Sequence, residues 1–134
     1  MDMRAHVFRL TRGQDLRAGI EAYAREHGIA AGCALSGVGC VLRARVRDAS
    51  GVTVRQIDEP MEIVSLTGTV SAARTHLHVA FSRGDLSTVG GHLLEGCTVN
   101  TTAEIVLLEL PGLRFGAAYD PQTGYDELEI VRDE

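Results

Sequence analysis

The strongest periodic signal in the chain lies between Gln14 and His27, where Leu16, Ile20, Tyr23 and Ala24 recur at helical spacing. Arg17 with Glu21, and Glu21 with Arg25, set opposite charges four residues apart. Gly28 stands where a left-handed cap would end such a helix. The pattern predicts one amphipathic helix whose apolar stripe faces a sheet.

Elsewhere the alternation has period two. His6 to Leu10 reads as a first strand. Ile29 to Val41 reads as a strand entering a Ser-Gly-Val-Gly turn at Ser36 to Gly39, since no helix follows to make it a phosphate-binding glycine loop. From Val41 to Arg47, Leu42, Ala44 and Val46 share one face of a strand, and Arg43, Arg45 and Arg47 share the other. Val52 to Ile57, Met61 to Val70, Thr75 to Phe81, Ala103 to Leu110, Arg114 to Tyr119 and Tyr125 to Val131 complete the predicted strands, while Val89 to Gly96 reads as loop. One helix with seven to nine short, mostly hairpin-connected strands predicts an α+β fold built on a mostly antiparallel β-sheet. Such a sheet leaves an edge that oligomers commonly cover.

The chain has 134 residues, with no repeat, linker or low-complexity tract, and is read as a single domain over residues 1–134. A net charge of −5 disfavours non-specific hold on nucleic acid. All 13 basic residues are arginine. The three arginines at 43, 45 and 47 are candidates for a phosphate or partner contact. Three cysteines without C-x-x-C spacing, and an N-terminus without an apolar signal region, lead us to expect a cytoplasmic protein in a reducing compartment. No apolar run approaches a membrane span.

The candidate chemistry sits in one stretch. His76 and His78 are two apart, so on a strand both imidazoles project to one side, roughly 6–7 Å apart. Gly90-Gly91-His92, after a polar turn at Ser82 to Asp85, could return a third imidazole to the same place. Three converging histidines resemble an open site for zinc or another divalent transition metal, with a fourth position left for water. Glu62 or Glu104 could then act as general base or orient a ligand histidine, and Cys97 is either a soft fourth ligand or a buried structural cysteine.

Four segments in order carry a resemblance: Arg9 to Leu16, the Ser-Gly-x-Gly segment after Ala34, Met61 to Gly68, and His76-Leu77-His78 followed by Gly90-Gly91-His92-Leu93 and Val99 to Val106. Together they resemble the plants-and-prokaryotes-conserved (PPC) domain, also known as a domain of unknown function. The resemblance spans nearly the whole chain. It implies a compact fold with an antiparallel sheet, assembly as a homotrimer, and contacts with other proteins. The three histidines match positions where prokaryotic relatives look able to hold a metal. Plant members bind DNA through attached AT-hooks. This chain has no Arg-Gly-Arg core, which removes the element that supports DNA binding in plants. The expected function is a homotrimeric, DNA-associated regulatory or assembly module with a three-histidine metal site. The alternative is a metal-dependent enzyme acting on a small molecule.

Overall fold

The computed structural model describes residues 2–133. Its elements run β1 (Arg4–Thr11), α1 (Leu16–Glu26), β2 (Gly32–Val41), β3 (Ala44–Arg47), β4 (Val54–Ile57), β5 (Met61–Val70), β6 (Thr75–Ser82), β7 (Thr88–Leu93), β8 (Val99–Glu109), β9 (Leu113–Asp120) and β10 (Tyr125–Arg132). The first eight strands form one sheet in the order β1-β8-β2-β5-β6-β7-β3-β4, and β9 and β10 form a separate two-stranded hairpin. Every pairing is antiparallel. The predicted α+β class with a mostly antiparallel sheet and one main helix is the observed one, with ten strands in place of seven to nine.

The helix forms where the apolar spacing predicts it. Asp15 caps its start by accepting a 2.8 Å hydrogen bond from the Ala18 amide, satisfying one of the free N–H groups of the first turn. Gly28 follows its end at φ +60°, the left-handed conformation that a residue without Cβ adopts at least cost. Leu16, Ile20 and Ala24 are fully buried, and they join Leu10, Ile63, Leu77, Val79, Phe81, Val99, Ile105 and Leu107 in one core. Tyr23 stacks between Phe8 of β1 and His27, with centroids 4.0 and 3.9 Å away.

The helix covers only one face of the sheet. Along β5, β6 and β8 the alternate positions Thr67, Thr69, His76, His78, Glu104 and Val106 therefore project to the other face. Two features place the histidine strand. The Ser71 amide donates to the Arg74 carbonyl at 2.7 Å and the Arg74 amide to the Ser71 hydroxyl at 3.0 Å, closing the turn from β5 into β6. Arg17 of the helix donates from Nη1 to the Leu93 carbonyl at 2.8 Å and from Nη2 to the Thr75 carbonyl at 3.5 Å, so one guanidinium holds the ends of β6 and β7.

Three expectations are corrected. The Ser36-Gly37-Val38-Gly39 segment is not a turn but runs through the middle of β2, with register shifts at Ala34/Ser36 and Gly39/Cys40. Close packing explains Gly39: at φ +147°, a Cβ there would run into the Thr102 carbonyl oxygen and lie 2.7 Å from the Ala103 Cα. The strand expected from Val41 to Arg47 is shorter, because Leu42 and Arg43 bend out of the sheet before β3. The Val89 to Gly96 region is not loop throughout, since Thr88 to Leu93 forms β7, between β6 and β3. A Cβ on Gly91 would lie 2.6 Å from the Arg47 carbonyl oxygen. The same bareness that depresses strand propensity lets β7 fit between its neighbours.

Candidate metal centre

The register of three adjacent strands builds the site. His78 of β6 lies opposite His92 of β7, His76 stands two residues along β6, and Arg47 of β3 lies opposite His92 from the other side. Each histidine offers a ring nitrogen, and these three atoms lie within 4.8 Å of one another. The ring centroids are 5.1 Å apart for His76–His78, 5.2 Å for His76–His92 and 5.7 Å for His78–His92. The Gly90-Gly91 approach that seats β7 is what brings the third ring in.

The environment favours neutral imidazoles, the form that ligates metal. Burial, with the positive charge of Arg47 next, pushes His92 down from 6.5 to about 4. Burial, His78 and Arg74 also lower His76, against a smaller opposing pull from Glu127. The Nδ1 of His92 is buried without a hydrogen-bond partner among the described residues. An orphaned buried nitrogen is costly unless something completes it. A donor set of three imidazoles, one with a buried nitrogen left unsatisfied, fits zinc or another borderline divalent ion.

A stability consequence follows for the metal-free protein. A histidine whose folded value lies below its unfolded value favours folding fully above the unfolded value. That contribution is lost as pH falls through the interval, because the unfolded chain takes up the proton first. The urea midpoint should therefore drop between pH 6.5 and about 4, and His92→Gln should flatten that drop. Equal pH profiles for the two proteins would contradict this account of His92.

The other predicted residues scatter. Glu62 is exposed at the far end of β5, seven positions before Thr69, the partner of His76, or roughly 23 Å along the strand. Glu104 is exposed on β8, three strands from β6, which separates it from the histidines by at least about 14 Å. Within one chain neither carboxylate serves the histidines. Cys97 is buried in the core, its sulfur accepts from the Arg45 amide at 3.2 Å, and burial raises its thiol to about 11. It is a structural cysteine, not a fourth ligand.

The arginine row also comes apart. Arg43, exposed and outside β3, pairs with Asp58 at 2.5 Å. Arg45 donates to the Glu95 carbonyl at 3.1 Å and packs on Gly96. Arg47 alone of the three lines the histidine site.

Sequence reasoning missed Arg74 and the start of β10 at Tyr125 to Glu127, which border a cavity of about 290 Å³ beside His76 and His92. Spacing could have drawn attention to Arg74, two residues before His76. Nothing local marks the hairpin, whose approach depends on the Ser71 hydroxyl donating to the Phe115 carbonyl at 3.3 Å and the Phe115 amide to the Ala30 carbonyl at 2.9 Å.

This architecture recurs in solved structures. A hypothetical protein from Salmonella cholerae-suis superposes with a TM-score of 0.95 at 32% identity, over 98% of this chain and 95% of that one. A metal-containing protein from Archaeoglobus fulgidus gives 0.78 at 30% identity, over 92% and 91%. A Bacteroides thetaiotaomicron structure named as a "putative DNA binding protein" gives 0.82 at 25% identity, over 93% and 91%. Among curated relatives, the bifunctional protein GlmU of Synechococcus sp. (strain JA-3-3Ab) is 41% identical over 130 residues, 97% of this chain. The chain spans about a fifth of the length of the curated relatives it matches (21%). The sequence profile of one family matches residues 1–111, and so the chain belongs to the Plants and Prokaryotes Conserved (PCC) domain family.

Proposed function

We propose that the protein is a metal-binding assembly module, a homotrimer that holds zinc or another divalent transition metal on His76, His78 and His92. The convergence of three ring nitrogens within 4.8 Å carries the metal reading. The metal-containing Archaeoglobus relative supports it. Such a metal, when bound, supplies a Lewis acid with a coordination position free of protein.

The assembly reading is supported by the sheet face that the helix leaves bare. There Val7 of β1, Val38 of β2 and Val64 of β5 are each more than half exposed (72%, 53% and 57%). Burying them against other copies is favoured by the ordinary hydrophobic gain. Association with DNA, for which the Bacteroides relative is named, would not run through a free arginine row, because Arg43 and Arg45 are engaged within the chain. Unpaired cysteines suit a cytoplasmic setting, and no described helix is long and apolar enough to cross a membrane.

The test is metal analysis and light scattering on protein purified without a histidine tag. We expect stoichiometric transition metal and a mass near three chains, with Val38→Arg shifting the mass toward one chain. Metal-free protein that takes up no added zinc removes the metal reading, and a monomeric wild type removes the assembly reading. The cavity beside the histidines favours a second reading, a metal-dependent enzyme for a small molecule.

A further inference from the structure

We propose that the cavity beside the histidine cluster is a subsite for a small oxyanion, a carboxylate or phosphate group held by Arg47 and Arg74 at the open side of the cluster. This rests on the second reading above and names its ligand class.

The cavity is lined by two arginines, Arg47 and Arg74, and by two carboxylates of β10, Asp126 and Glu127. Arg4, Arg17, Arg25, Arg43, Arg55 and Arg83 each have a carboxylate within 4.0 Å. Arg47 and Arg74, like Arg9, Arg12, Arg45, Arg114 and Arg132, have none among the described residues, and these two border the same cavity as His76 and His92. The Nε of Arg47 is also buried with no hydrogen-bond partner among the described residues. A guanidinium hydrogen withdrawn from water and left unpaired is unfavourable. The planar N–H fork of arginine matches carboxylate and phosphate oxygens two at a time.

Position and size narrow the ligand. Arg47 sits opposite His92 across the β3–β7 pairing, and Arg74 immediately precedes β6, two residues before His76. An oxyanion between them would place the rest of its molecule against the histidines. The volume of about 290 Å³ lies close to the lower bound of the roughly 300–1,000 Å³ typical of small-molecule sites, which suits a small ligand. The opposite wall is Tyr125, Asp126 and Glu127 of the β9–β10 hairpin. Two carboxylates there disfavour a second anionic group and favour a hydroxyl or ammonium at the far end. The class of ligand is thus a small hydroxy or amino acid, or its phosphate counterpart.

The test is calorimetric titration of lactate, glycine and inorganic phosphate into the zinc-loaded protein at low ionic strength. We expect saturable binding of at least one probe, weakened tenfold or more by Arg74→Gln and unchanged by Arg43→Gln, whose side chain is engaged with Asp58. The tighter probe assigns the head group. Binding of none, or equal binding by wild type and Arg74→Gln, overturns the proposal. Zinc content measured on the same wild-type sample keeps the two readings apart. Full zinc without probe binding rejects the subsite alone. Probe binding that depends on Arg74 in protein unable to take up zinc upholds the subsite and rejects the metal.

Discussion

Replacing His78 with alanine should leave the fold intact and weaken metal binding by more than about 100-fold, the upper end of the loss seen when only a supporting partner of a ligand is removed. His78 is exposed, so its truncation removes little buried surface and opens no cavity in the core. Its ring nitrogen is nevertheless one of three within 4.8 Å, and two imidazoles make a far poorer site than three. The measurement is metal retained per chain after dialysis against a competing chelator, alongside the thermal midpoint of the metal-free form. We expect lost metal with a midpoint within a few degrees of wild type. Wild-type metal retention would show that the three rings do not act as one ligand set.

Gly68→Ala should produce the largest loss of stability of any single methyl addition near the site. Gly68 has φ +142°, a backbone conformation that side chains with a Cβ rarely adopt. The added carbon would also fall well inside contact distance of the His76 carbonyl oxygen and 2.8 Å from the Leu77 Cα. Both obstacles are backbone of the neighbouring strand, so no rotamer change relieves them. Conformational strain alone costs about 1–3 kcal/mol, and with the clash we expect about 3 kcal/mol or more in urea unfolding. The strand that must yield carries His76, so metal affinity should fall as well. Gly116→Ala is the control: a Cβ there meets nothing within 4 Å. An effect as small at Gly68 as at Gly116 would refute the close approach.

The elements legible in the sequence are those whose side chains state their own environment. Leu16, Ile20 and Ala24 mark the buried stripe of the helix and Gly28 marks its end, although the helix begins at Leu16, capped by Asp15, and not at Gln14. His76 and His78 display the two-residue period of a strand, and their shared side follows from it. The resemblance to a known family was readable from those same histidines and the Met61 to Gly68 strand. What stayed hidden belongs to residues defined by their neighbours. Gly39, Gly90 and Gly91 look like turn formers, yet each lies within a strand because another strand passes too close for a side chain. The arginines at 43, 45 and 47 form a row only on an ideal strand, and the bend at Leu42–Arg43 breaks it. The cavity wall at Tyr125 to Glu127 comes from a hairpin well beyond the histidines in sequence, positioned by the buried Ser71.

The strand order has a consequence for how the chain reaches this structure. β8 occupies the slot between β1 and β2, so Phe8 pairs with Ile105 and Gly37 pairs with that same residue from the other side. During synthesis from the N-terminus, both earlier strands must wait with unmatched edges until residues 99–109 emerge. The β5–β6–β7 meander, which holds all three histidines, needs only neighbours already made. Closing the β1–β8 ladder joins partners as far apart as Arg4 and Glu109, and such distant pairing is slow. The histidine-bearing ribbon should therefore be in place before the core that will support it is sealed.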